Sequence, residues 1–265
     1  MPLNIYGSDA YSPAQIAEKV EEVGVSKANL GLIPMVALGV LAGGFIGLGA
    51  AFYTVVASDS ELSFALGRIL GGLVFSLGLI LVVIAGAELF TGNNLMVMAR
   101  IHGRITTQLM IRNFVVVYVA NLFGAVGLAA LVYWSGHWKM GAVRETAINI
   151  AEAKIQIPFW EAFFRGVLCN LLVCLAVWLA MAGRGVTDKV LAIIFPITAF
   201  VACGFEHCVA NMYFIPLGMM LDPGAQSITI ADFFGSLIPV TLGNLVGGAG
   251  LVGLVYYLVY GRDKE

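Results

Sequence analysis

Gly86-Ala87-Glu88-Leu89-Phe90-Thr91-Gly92-Asn93 and Gly204-Phe205-Glu206-His207-Cys208-Val209-Ala210-Asn211 decide how this chain is read. Each octet sits inside a long apolar run, Ile69 to Ala99 or Val190 to Leu221, that carries a single carboxylate, Glu88 or Glu206. At about 1.5 Å per residue, a straight helix of either run overshoots a hydrocarbon core about 30 Å thick. A break in the middle removes the excess. Gly86 and Gly92 bracket Glu88, while Gly204 precedes Glu206 and Pro216 follows it. Unwound backbone at membrane depth survives only where it is buried in protein or lines a cavity, so the two octets mark a site.

Outward from the octets, four further runs are long and apolar enough to span: Leu30 to Val56, Phe114 to Trp134, Gly166 to Gly183 and Phe233 to Tyr260. Of the 265 residues, 60% are hydrophobic and 11% charged, and the mean hydropathy is +0.94. A soluble domain needs about a quarter charged residues to face water, so lipid is the expected solvent. A net charge of −2 offers no basic field for nucleic acid, and that class is excluded. The expectation is an all-α membrane protein of six transmembrane helices, the second and fifth broken, forming one domain over residues 1–265.

No charged start, short apolar core and cleavage site open the chain, which is expected to begin near Met1. Ser12 and Gln15 form a capping box around Pro13, and Ile16, Val20 and Val23 share a helical face. Residues 1–28 are therefore expected to form an amphipathic helix on the cytoplasmic membrane surface. Connections between spans are short and polar, the longest being Ser135 to Ile157. Most of the 14 basic residues lie at the amino terminus, in the second and fourth connections and in the carboxyl tail. That asymmetry puts both termini in the cytoplasm. Cys169, Cys174, Cys203 and Cys208 read as small buried hydrophobes, with no Cys-x-x-Cys pair and no metal motif. No cofactor is called for.

The two halves, 29–138 and 139–265, match in order. Lys27 precedes Gly39-Val40-Leu41 by the same spacing with which Lys154 precedes Gly166-Val167-Leu168. Gly86, Glu88 and Asn93 match Gly204, Glu206 and Asn211, and Asn121, Gly124 and Gly127 match Asn244, Gly247 and Gly250. Three spans per half, an odd number, make the halves inverted repeats about an axis in the membrane plane. Corresponding broken helices then point to a site at the midplane, and half-helix amino termini there favour an anion.

His207 is the one histidine inside a span and is a functional candidate by default; His102 and His137 read as surface residues. Glu88 and Glu206 suit carboxylates that accept hydrogen bonds and hold the breaks in shape, with proton relay the competing role. The Thr91 hydroxyl either meets an anion and the imidazole or caps backbone. Lys154 raises anion concentration at a pore mouth or is simply solvated. Phe75, Leu79, Leu89, Phe90 and Phe200 form apolar constrictions or pack within the bundle.

These octets, together with Cys169-Asn170-Leu171-Leu172-Val173-Cys174-Leu175-Ala176 and Ile238-Pro239-Val240-Thr241-Leu242-Gly243-Asn244, closely resemble the formate/nitrite transporter family over nearly the whole chain. The resemblance implies an aquaporin-like fold, a homopentamer with one pore per protomer, and residence in a prokaryotic inner membrane. It implies that Thr91 and His207 meet the anion, that Asn170 and Asn244 are polar pore partners, and that Lys154 lies near the periplasm. It implies that Phe75 and Phe200 narrow the periplasmic half, and Leu79, Leu89 and Phe90 the cytoplasmic half. Ile238-Pro239-Val240-Thr241 and Phe200-Val201-Ala202 look more like formate than nitrite channels, which makes formate the expected substrate. Nitrite, hydrosulfide and proton-coupled anion transport are the alternatives. Against a membrane-embedded enzyme, the sequence has no metal-ligand motif such as His-Glu-x-x-His, and against a water or glycerol channel it has no Asn-Pro-Ala loop.

Overall fold

Among the described residues, five helices are long and apolar enough to cross a membrane: Leu32–Ala57, Phe64–Gly86, Thr107–Ser135, Phe159–Ala182 and Ile230–Gly261. The computed structural model describes residues 10–222 and 228–261, so the first nine residues and the carboxyl tail with Arg262 and Lys264 lie outside the described residues. Apart from an isolated bridge between Ala10 and Gly183, the regular structure described is helical.

Both octets interrupt their helices. α3 (Phe64–Ile80) follows α1 (Pro13–Ala28) and α2 (Leu32–Ala57) and widens into a π-helical turn, Leu81–Gly86, before stopping. Gly86 takes φ +83° and the Ala87 N–H closes onto Val82 O at 2.9 Å. Leu89 is extended, and the chain becomes helical again in α4 (Phe90–Asn93), the 3-10 turn Asn94–Met96 and α5 (Val97–Ile101). After α6 (Thr107–Ser135), α7 (Val143–Ile155) and α8 (Phe159–Ala182), the pattern recurs. α9 (Val186–Ala202) ends at Gly204, φ +74°, with the Phe205 N–H on Phe200 O at 3.0 Å. His207 is extended and α10 (Cys208–Leu221) follows. Each stop uses glycine where a left-handed residue must end a helix. Pro216, expected to help the second break, lies inside α10 instead.

Helix starts reach beyond the apolar runs because polar caps extend them. Thr106 accepts the Leu109 N–H at the head of α6, which therefore begins well before Phe114. Thr229 and Asp232 form a capping box at the head of α11 (Ile230–Leu245), which continues through π-helical turns to Gly261.

Four expectations change. The connection Ser135 to Ile157 contains α7, which buries Val143, Ala147 and Ala151 and packs on α10, Gly218 lying against the Ala151 methyl. Its outward polar face is why the stretch reads as a loop. The apolar stripe of α1, expected on lipid, is spent within the protein: Ile16, Ala17 and Val20 cluster with Leu95, Met98, Cys174, Trp178 and Val252. His102, expected at the surface, places Nδ1 2.6 Å from Oε2 of buried Glu21, which also has Arg104 at 3.6 Å. Cys169, Cys174 and Cys208 are buried, but Cys203 is exposed where α9 has already ended.

Packing between spans relies on close backbone approach. A Cβ at Gly124 would strike Val40 O, and one at Gly43 would strike Asn121 O, where α2 crosses α6. Gly127, one turn on, faces open space. Gly124→Val is expected to prevent recovery of a monodisperse folded protein by size-exclusion chromatography, whereas Gly127→Ala is recovered as wild type.

Candidate functional site

A carboxylate buried at membrane depth must be paired and hydrogen-bonded, and Glu88 and Glu206, 4% and 5% exposed, are satisfied in the same way. Lys27 Nζ lies 2.6 Å from Glu88 Oε1, and Lys154 Nζ lies 2.9 Å from Glu206 Oε2. Asn93 Nδ2 donates to Glu88 Oε2 at 2.7 Å, and Asn211 Nδ2 donates to Glu206 Oε2 at 2.8 Å. Lys27 comes from the last turn of α1 and Lys154 from the last turn of α7.

Two asparagines hold the unwound backbone. Asn121 on α6 accepts the Phe90 N–H at 2.9 Å and donates to Gly39 O and Glu88 O at 2.8 and 2.9 Å. Asn244 on α11 accepts the Cys208 N–H at 2.9 Å and donates to Gly166 O and Glu206 O at 2.8 and 3.0 Å. Asn244 is therefore fully used on backbone and lines neither cavity described below. Asn170 is likewise fully buried, with Nδ2 on Asn244 O at 2.7 Å, Asn94 Oδ1 at 3.0 Å and Thr91 O at 3.3 Å. Both residues hold the loops rather than face open space.

The breaks meet at Thr91 and His207, whose Oγ1 and Nε2 are 3.0 Å apart. His207 also caps α10, its Nδ1 accepting the Ala210 N–H at 3.1 Å. A ring nitrogen that accepts a hydrogen bond carries no proton, so the neutral imidazole holds its proton on Nε2, aimed at Thr91. Phe200 lies nearly parallel to the imidazole, 6.0 Å between centroids, and Phe75 meets Phe200 edge-on at 5.7 Å.

Two cavities approach this contact. One, of about 400 Å³, is lined by Lys27, Leu79, Val82, Glu88, Leu89 and Asn93 among others. The second, of about 230 Å³, is lined by Arg68, Phe75, Lys154, Phe200, Glu206 and His207 among others. The Lys27 cavity adjoins the head of α6, where Asn113 Nδ2 donates to Lys27 O, while α7 with Lys154 follows its tail. Phe75, Phe200, Leu79 and Leu89 are all cavity-lining. Phe90 is not: its ring packs edge-on against Phe114 and Tyr118.

The formate/nitrite transporter model matches residues 14–258, nearly the whole chain. The chain belongs to the formate/nitrite transporter family. It is similar to the formate channel FocA of Haemophilus influenzae, 42% identical over 93% of this chain and 94% of that one. FocA of Escherichia coli K12 is 38% identical over 97% of each. A solved structure described as a pentameric formate channel with formate bound superposes with a TM-score of 0.82 at 38% identity, covering 87% of this chain and 98% of that one. Members of this family transport rather than transform, so the site is one of passage and not of turnover.

The sequence marks Lys27 and Asn121 only as positions matched to the site candidates Lys154 and Asn244; the repeat itself is the signal for both. Lys154→Met leaves Glu206 buried without its cation, which costs about 3–5 kcal/mol. Thermal unfolding in detergent is expected to show a large loss for that variant and a much smaller one for the double variant Lys154→Met/Glu206→Gln.

Proposed function

We propose that this chain is a channel for small monovalent anions of weak acids, with formate the main substrate. The contact between Thr91 and His207 at the seam of two cavities carries the reading: an unwound, polar point, flanked by aromatic and aliphatic narrowings, is where a partly dehydrated anion needs donors. We read the membrane architecture as six spans, the five long helices and the broken pair α9 and α10, arranged as two inverted, aquaporin-like three-helix repeats. The paired bonds of Glu88 with Glu206 and of Asn121 with Asn244 support that relation. We further read both termini as cytoplasmic in a prokaryotic inner membrane, and the assembly as a homopentamer in lipid with one pore per protomer, as the pentameric relative suggests.

In this mechanism the resting His207 is neutral, because a proton on Nδ1 would cost the cap of α10. Formate from the Lys154 cavity meets the Nε2–H and the Thr91 hydroxyl. A proton taken up from solution by His207, at the passing cost of that cap, lets Nε2 hand one proton to the formate, which crosses the aliphatic stretch at Leu89 and Leu79 as formic acid, since dehydrating the charge is costlier than carrying the neutral acid. Glu88 and Glu206 keep the loops in shape and do not relay protons. Nitrite and hydrosulfide, also small anions of weak acids, fit the same path.

Purified protein in proteoliposomes, offered formate, nitrite, sulfate and phosphate across a range of pH, tests this. Formate is expected to pass far faster than sulfate or phosphate, and equal rates sink the reading. His207→Asn is expected to change formate flux and flatten its pH profile, with His137→Gln as the control; a folded His207→Asn protein with wild-type flux and pH profile removes His207 from the mechanism.

A further inference from the structure

The cations lining the Lys154 cavity are not equivalent. Lys154 is within 2.9 Å of both Glu206 oxygens, and Arg165 Nη2 is 3.2 Å from Glu161 Oε2, so both charges are answered on the spot. Arg68, on α3, is held differently. Its Nε donates to Ala202 O and its Nη2 to Val201 O, each at 2.9 Å, while Nη1 lies 3.5 Å from the Tyr53 hydroxyl. All three partners are neutral, and Arg68 makes no ion pair among the described residues. A guanidinium spent on carbonyls keeps its whole charge.

Those carbonyls end α9, and the end of a half-helix carries partial negative charge. The Phe205 N–H takes Phe200 O and the Gly204 N–H shares Val201 O, which leaves Ala202 O to Arg68. Without the guanidinium, the end of α9 would confront an incoming anion with negative oxygens. The charged residues lining the other cavity are Lys27 and Glu88, a balanced pair. Arg68 therefore gives one cavity a net positive field that the other lacks.

We propose that Arg68, rather than the ion-paired Lys154, draws the anion into this cavity and makes it the concentrating mouth of the pathway. The proposal rests on the anion-channel reading above. It concerns capture rather than passage, so it acts on the half-saturating concentration and not on the maximal rate.

The test is formate uptake into proteoliposomes at low ionic strength and at about 1 M, where the screening length falls to about 3 Å. Wild-type half-saturation is expected to rise with salt. Arg68→Gln is expected to raise it about threefold at low salt, with no difference at high salt and an unchanged maximal rate, as for loss of one partly solvated charge several ångströms from the anion. Arg68→Lys, which keeps the charge, is expected to behave as wild type, as is Arg184→Gln, which lies outside both cavities. Tyr53→Glu neutralises Arg68 while leaving its carbonyl bonds in place and is expected to reproduce Arg68→Gln; it also decides the matter if Arg68→Gln does not assemble. Wild-type half-saturation in Arg68→Gln or Tyr53→Glu at low salt overturns the proposal, as does an Arg68→Lys protein impaired like Arg68→Gln. A wild type that passes formate with no salt dependence overturns it while leaving the channel reading intact. A wild type that passes no formate takes down both.

Discussion

A carboxylate held between a lysine and an asparagine is the interaction on which the rest of this structure depends. Breaking a helix within an apolar bundle exposes N–H and C=O groups that lipid cannot satisfy. Glu88 and Glu206 each bind the head of the following helix through Asn93 or Asn211, and each ties the break to a separate helix through Lys27 or Lys154. Removing either carboxylate would take the counter-ion from a partly buried ammonium and leave the asparagine amide only its second acceptor, Asn113 or Ser236. The extended residues Leu89 and His207 are displayed between these anchors, and the aromatic and aliphatic narrowings take their places from the helix ends that the breaks create.

The two sets of bonds match closely, but the residues displayed do not. Leu89 and His207 each follow their glutamate directly, as do Phe90 and Cys208 one residue later. One half contributes an aliphatic side chain and a threonine hydroxyl, and the other contributes an imidazole and an aromatic ring. Each half thus brings one polar group and one apolar wall to the contact, but not the same ones. The two cavities differ in their cations as well, since Arg68 has no counterpart at the Lys27 cavity.

Much of this was legible in the amino-acid sequence, because the signals were local. Glycines that must adopt positive φ, carboxylates with no business in an apolar run and matched spacings in the two halves all survive without coordinates. What was not legible depended on orientation and distant pairing. Family motifs named Asn170 and Asn244 but not the direction of their amides, which turn to backbone. Phe90 looked equivalent to its neighbour Leu89, yet consecutive residues across a helix start point to different sides. Lys154 resembled a solvated loop cation because Glu206, its partner, is far along the chain. α7 was hidden because a short helix with one small-residue face and one charged face has the composition of a loop.

The contact between α1 and the Tyr257–Gly261 turn brings the last described turn onto the first helix, with Gly261 close to Glu21. Proteins whose ends meet tolerate being joined there and reopened elsewhere. A circular permutant opened in the stretch between α6 and α7 would place the second half first and the first half last while keeping every contact within and between them. Its yield and thermal unfolding would measure how far insertion into the membrane depends on the order in which the halves are made, separately from how well they fit together once there.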